Sequence, residues 1–218
     1  MKDRDIHSAI RILRREAPKW DTPIVTLMAE TYESPFRVLI SCILSLRTQD
    51  ATTAKASHRL FAVADTPQAM LQLTAKKIAK LIYPVGFYKT KAKNIVEICR
   101  TLIDQYGGKV PDDIDELLKL RGVGRKTANL VVTLGYGKPG ICVDTHVHRI
   151  SNRWGYINTK TPERSEFALR DKLPKQYWIE YNDLLVSFGQ HRCRPISPLC
   201  SQCPVKTYCR RVGVTVRR

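Results

Sequence analysis

The chain opens on a helical pattern. In DIHSAIRILRREA, Ile6, Ala9, Ile10, Leu13 and Ala17 recur every three or four positions, lining one face of an α-helix. Segment 36–46 (FRVLISCILSL) is apolar nearly all round, which predicts a central buried helix. Segment 88–106 places Ala92, Ile95, Val96, Cys99, Leu102, Ile103 and Tyr106 on one face, and Gly107-Gly108 ends it. Three starts pair a cap residue with proline at the first helical position: Ser34-Pro35, Thr66-Pro67 and Thr161-Pro162. Breaks fall at Gly135–Gly140, around Asn158–Pro162 and at Leu173-Pro174. No stretch alternates long enough for a strand, and segment lengths do not recur as repeats. The pattern predicts an all-α fold.

One pair of helices stands out. A short helix over about 112–119 precedes Leu120-Arg121-Gly122-Val123-Gly124, and a longer one runs from Arg125 to about Tyr136. The glycines permit positive φ and let another backbone approach closely. Val123 is placed as an apolar plug between the helices. The second helix presents free N–H groups and the positive end of its dipole to an anion. A G-x-G turn is weak evidence by itself. Between two predicted helices it reads as a helix-hairpin-helix.

Charge says which anion. The 218 residues, 43% of them apolar, suffice for one large or two small domains with a real core. The formal net charge is +17, so a polyanionic partner follows, with nucleic acid as the default. No stretch approaches eighteen consecutive apolar residues, so no membrane span is expected. The opening MKDRDIHSAIRIL has no apolar core or cleavage site of a secretory signal. Seven cysteines, an odd number, suit a reducing cytoplasm. Cys42, Cys99 and Cys142 sit in apolar contexts and read as small buried hydrophobes.

The other four cysteines carry chemistry. Cys193, Cys200, Cys203 and Cys209 form C-x6-C-x2-C-x5-C. Thiolates are the soft ligands that iron–sulfur clusters and structural zinc share. Structural zinc usually takes two short-spaced pairs, and this run has one C-x2-C. The longer arms favour a [4Fe–4S] cubane over zinc. Two disulfides are disfavoured without secretion.

Lys126 falls on the first turn of the second hairpin helix. The dipole and the neighbouring Arg121 and Arg125 disfavour its charged form. A neutral amine is a nucleophile that forms Schiff bases, and in a DNA-binding protein its target is C1′ of a deoxyribose. Further on, Gly140-Ile141-Cys142-Val143-Asp144-Thr145-His146 leads into a helix carrying Val147, Ile150 and Trp154. Asp144 reads as its N-cap, which does not exclude catalysis. His146 and His148, two apart on a helix, point apart and are not expected to pair on a metal.

LRGVGRKTAN, VDTH and C-x6-C-x2-C-x5-C, in this order, resemble the endonuclease III family of helix-hairpin-helix DNA glycosylases. The resemblance runs from about residue 30 to Cys209. It implies a bilobal all-α fold. A central lobe, 28–138, carries the hairpin at about 112–136. A second lobe, 1–27 plus 139–218, holds the N-terminal helix, C-terminal helices and the cluster loop 193–209. DNA lies across the cleft. The resemblance also assigns Lys126 as Schiff-base lysine, Asp144 as catalytic aspartate and the four cysteines as [4Fe–4S] ligands. Gly122, Val123, Gly124 and Arg125 form the phosphate-binding hairpin. ILSLRTQD and VGFYKTKA resemble segments that fill the gap left by a flipped base. Arg47 stands there for the usual glutamine and Phe87 for a common leucine, and Arg121 replaces the frequent proline before the hairpin.

The implied activity is bifunctional: a DNA glycosylase and abasic-site lyase removing oxidised pyrimidines from double-stranded DNA, as a monomer in the cytoplasm (at the nucleoid in a prokaryote). Two readings compete. A monofunctional glycosylase for mispaired adenine or thymine generally lacks a lysine at this position. A non-catalytic Fe–S DNA-binding module has no need to retain both Lys126 and Asp144.

Overall fold

The computed structural model describes residues 1–20 and 34–218, and among them there is no strand. The chain divides into a continuous unit, Ile24–Gly140, and a split unit, Met1–Pro23 with Ile141–Arg218. The boundary drawn from sequence at 27/28 lies outside the described residues. The second boundary falls at Gly140/Ile141, close to the 138/139 drawn from sequence.

The described part of the continuous unit begins with α2 (Pro35–Ser45), where the Ser34 hydroxyl accepts from the Arg37 N–H at 3.5 Å. Residues Phe36 and Val38–Leu44 are buried, so α2 is the central helix its apolar run predicts. Next come α3 (Asp50–Phe61), α4 (Pro67–Leu71) and α5 (Ala75–Ile82), the last two capped by Thr66 and Thr74. Helix α6 (Tyr88–Tyr106) packs on α4 and α5. Its buried face is Lys91, Ala92, Ile95, Ile98, Cys99 and Leu102. Val96, Ile103 and Tyr106, expected on that face, are only half-buried. The face is turned toward Ile98. At its end Gly107 takes φ 59°, and the Gly107 and Gly108 N–H groups both return to the Leu102 carbonyl.

The hairpin helices are α7 (Ile114–Leu118), capped by the Asp113 carboxylate, and α8 (Arg125–Leu130). The expected uninterrupted helix to Tyr136 is not formed: a π-turn occupies Val131–Gly135. Two observations account for it. The Thr133 hydroxyl donates to the Asn129 carbonyl at 2.8 Å, competing with the backbone for that acceptor. Gly135 lies against α2, where an added Cβ would meet Pro35 Cα at 3.2 Å.

In the split unit, α1 (Asp3–Glu16) carries Asp3 and Asp5 in its first turn and Arg14 and Arg15 in its last, each matched to the dipole. Ile6, Ala9, Ile10 and Leu13 are buried; Ala17, in a short 3₁₀ turn, is half-buried. They join a core with α9 (Thr145–Arg153), α10 (Pro162–Lys172) and α11 (Trp178–His191), centred on Trp154, Tyr181 and Phe188. The Met1 amino group donates to the Trp154 carbonyl at 2.6 Å.

Candidate nucleic-acid interface and metal centre

The hairpin turn is built as its glycines predict in one position and not in the other. Gly122 has φ 78°, which a side chain disfavours. Val123 is buried, and its N–H donates to Leu120 O at 3.1 Å. Gly124, expected to share the positive φ, instead caps α8 at φ −103°. An added Cβ there would meet nothing within 4 Å. The protein's own packing therefore does not need a glycine at 124; the open side faces outward, where an incoming backbone can approach.

Lys126 is exposed on the first turn of α8. Its charge reaches buried Cys42 of α2, opposing the burial that pushes that thiol up to about 12. Arg121, read from sequence as a like charge beside Lys126, donates to the Glu97 carboxylate of α6 at 2.6 Å. Its charge is locally matched, which weakens that part of the expectation.

Arg47 and Phe87 come together at one edge of the same unit. Both are exposed, both adopt left-handed backbone (φ 52° and 57°), and the guanidinium lies 5.6 Å from the Phe87 ring centroid. A lysine absent from the sequence reading locks them. Lys91 Nζ is buried and donates to Leu44 O at 2.9 Å, Leu46 O at 2.5 Å and Thr48 Oγ1 at 3.2 Å. Thr48 Oγ1 also accepts the Gly86 N–H at 3.2 Å. Gly86 sits so close that a Cβ would meet Arg47 O at 2.5 Å. Burial pulls the Lys91 ammonium down to about 8. Its signal was available: Lys91, Ile95 and Cys99 form one i, i+4 row on α6.

In the split unit, Asp144 caps α9. Its Oδ1 accepts from the His146 and Val147 N–H groups, both at 2.8 Å. Asn182 Nδ2 donates to Cys142 O at 3.2 Å, fixing the approach to the cap. His146 and His148 do not pair: His148 Nδ1 meets Ser165 Oγ at 2.6 Å and His146 Nδ1 meets Arg149 Nη2 at 3.0 Å.

The far end of α9 holds the cysteine loop. Arg149 Nη2 donates to Cys193 O at 2.9 Å. Arg153 Nη1 donates to Arg194 O at 2.7 Å and lies 3.6 Å from Cys193 Sγ, while Nη2 donates to Pro195 O at 2.6 Å. The Arg211 N–H donates to Cys209 Sγ at 3.4 Å. Arg149 and Arg153, one turn apart, are the residues that reading for ligands alone passes over.

All seven cysteines are free thiols; Cys42, Cys99 and Cys142 are buried, and the other four are half-buried. Cys193, Cys200, Cys203 and Cys209 line one cavity with Trp154, Phe188 and Leu199. Burial pushes the Cys203 thiol up to about 11, and the other three cysteines push it further the same way. Four thiolates gathered there repel one another, and a cationic iron core offsets that repulsion. Among the described residues no three His, Cys, Asp or Glu side chains converge on a single-ion site.

The profile of the HhH-GPD superfamily, base excision DNA repair proteins, matches residues 40–175. Endonuclease III of Thermotoga maritima is 52% identical over 175 residues, covering 80% of this chain and 82% of that protein. A solved non-covalent endonuclease III–DNA complex aligns with TM-score 0.86 at 35% identity, covering 97% of this chain and 96% of that one. A trapped endonuclease III–DNA covalent intermediate aligns with TM-score 0.86 at 35% identity, covering 97% of each chain.

Proposed function

Since this chain belongs to the HhH-GPD superfamily of base excision DNA repair proteins, in its endonuclease III family, we propose that it is a bifunctional DNA glycosylase and abasic-site lyase. Its substrate is duplex DNA with oxidised pyrimidines or abasic sites. The observation that carries the reading is Lys126, an exposed amine on the first turn of a helix whose Gly124 cap is open to an incoming backbone. A relative of the same fold trapped as a covalent DNA intermediate supports it.

The target nucleotide leaves the stack, at a cost of a few kcal/mol that damage lowers. The neutral Lys126 amine attacks C1′. The glycosidic bond breaks and its electron pair leaves with the base, which takes up a proton. The lysine nitrogen sheds a proton; Asp144 is proposed either to take up that proton or to stabilise positive charge on the sugar. The sugar ring opens to a protonated imine on Lys126. Loss of the C2′ proton then expels the 3′ phosphate, and water releases the enzyme. Arg47 and Phe87, stacked and locked by Lys91, fill the space of the flipped base. Gly122, Val123, Gly124 and Arg125 hold a backbone phosphate at the start of α8.

Endonuclease III proteins generally carry a [4Fe–4S] cluster. We assign Cys193, Cys200, Cys203 and Cys209 as its ligands. When bound, the iron core would fasten the tail loop. No helix among the described residues is long and apolar enough to cross a membrane. Free thiols throughout suit the reducing cytoplasm.

Borohydride reduction on abasic duplex DNA tests the reading. A covalent protein–DNA product is expected, with release of thymine glycol or dihydrouracil from duplex. No product, with excision of mispaired adenine or thymine, would replace it by the monofunctional reading.

A further inference from the structure

We propose that the crevice between α5 and α6 binds single-stranded nucleic acid, contacting unpaired bases through Tyr83 and Tyr88 and phosphates through four lysines. The proposal goes beyond the lysine chemistry and does not depend on it.

The crevice measures about 540 Å³, within the roughly 300–1,000 Å³ range of small-ligand sites. Its floor is Ala75 and Ala79, small residues one turn apart on α5. Lys76 and Lys80 rise beside them, and Lys89 and Lys93 face them from α6. The Tyr83 and Tyr88 rings meet edge to face, with centroids 5.3 Å apart and planes at 82°. Tyr83 is 60% exposed, a large aromatic surface left in water. It is nevertheless fixed in place: Arg59 Nε donates to Leu81 O at 2.9 Å, and its Nη2 donates to Tyr83 O.

Lys19, Lys119, Lys138 and Lys172 each pair with a carboxylate. None of the four crevice lysines does so among the described residues. Four uncompensated ammonium groups around an apolar and aromatic floor exclude a cation and select an anion that also carries a flat ring. A nucleotide has both parts. Lysines placed two on each helix suit several phosphates along a strand better than the one phosphate of a mononucleotide. In a duplex the base faces are already stacked; an exposed tyrosine finds a free face only on unpaired bases.

The test is fluorescence anisotropy of the whole protein with a labelled oligothymidylate of about eight nucleotides, a typical single-strand site size. Tyr83→Ala should weaken binding roughly ten-fold, the loss of one stacked base, and Tyr83→Phe should not. The Lys80→Gln/Lys93→Gln pair should lower the slope of log affinity against log salt by about 1.4, two single-strand phosphate contacts. Thymidine 5′-monophosphate should compete poorly. All variants should keep the wild-type circular dichroism melt and borohydride trapping on abasic duplex. Equal oligothymidylate affinity in Tyr83→Ala and wild type overturns the proposal. So does equal competition by thymidine 5′-monophosphate or by polyglutamate, and so does loss of duplex trapping in the same variants. Failure of wild-type trapping would count against the lyase reading and leave these binding outcomes intact.

Discussion

The edge carrying Arg47 and Phe87 and the loop carrying Cys193–Cys209 are held by opposite means. The edge is fastened by the chain itself: a buried ammonium shared among three oxygens, a glycine pressed on a carbonyl, a ring under a guanidinium. The cysteine loop is regular nowhere and leans on Arg149 and Arg153 from one helix. Burial and the neighbouring cysteines raise the Cys203 and Cys209 thiols. The first region is preorganised by hydrogen bonds; the second awaits the inorganic centre proposed for it. The contrast shows two ways of making irregular backbone rigid: surround one charge with its acceptors, or gather charges around a missing counter-ion.

The largest expected effect removes the reaction and spares both scaffolds. Lys126→Ala should abolish borohydride trapping while still binding abasic duplex in a gel-shift assay. Trapping near the wild-type rate in that variant would reassign the nucleophile. Asp144→Asn should slow base release roughly 10²–10⁴-fold in single-turnover assays, the range for a positioned acid–base group. Because Asp144 also caps α9, its melting temperature should be followed in parallel.

Next comes the cysteine loop. Cys203→Ala should lose its iron, about four per chain in the wild type, and with it the protection of residues 193–218 from hydrogen exchange. Exchange around residues 44–48 and 83–91 should not change. Loss of protection in both regions together would erase the distinction between them.

The edge gives the smaller effects. Lys91→Met should cost about 3 kcal/mol in urea unfolding, since it strands acceptors that the ammonium satisfied. The pH dependence has a definite sign. Below about 8 Lys91 is charged in both states; between about 8 and its ordinary 10.5 only the unfolded chain holds the proton. Unfolding then takes up a proton, so wild type gains stability over Lys91→Met as pH rises through that window. A stability gap equal at about pH 7 and about pH 9.5 would show that Lys91 titrates normally.

Much of this was legible in the sequence because it depends on local rules. Ser34-Pro35, Thr66-Pro67 and Thr161-Pro162 each begin a helix, since a cap oxygen and a proline ring act within one turn. The apolar run at 36–46 became the buried α2, and Asp144 became an N-cap. What escaped depends on partners distant in sequence. The π-turn answers to Pro35, nearly a hundred residues earlier. Arg121 was assigned by its neighbours, but its charge is settled by Glu97 on another helix. Lys91 was not singled out because its acceptors lie more than forty residues away. At the candidate site, residue types at fixed spacing were readable, and the side chains that brace them were not.

The division of the chain also sets an order of manufacture. The continuous unit is complete in sequence once Gly140 has been made, whereas α1 packs with helices that begin at Thr145. At ribosomal speeds of about 5–20 residues per second, the gap between Pro23 and Ile141 lasts on the order of ten seconds. For that time Ile6, Ala9, Ile10 and Leu13 form a sticky stripe on a nascent chain. A chaperone has that interval to shield it. The cysteines of the tail loop emerge later still, so the cluster proposed for them would be built on a chain whose other unit has had time to fold.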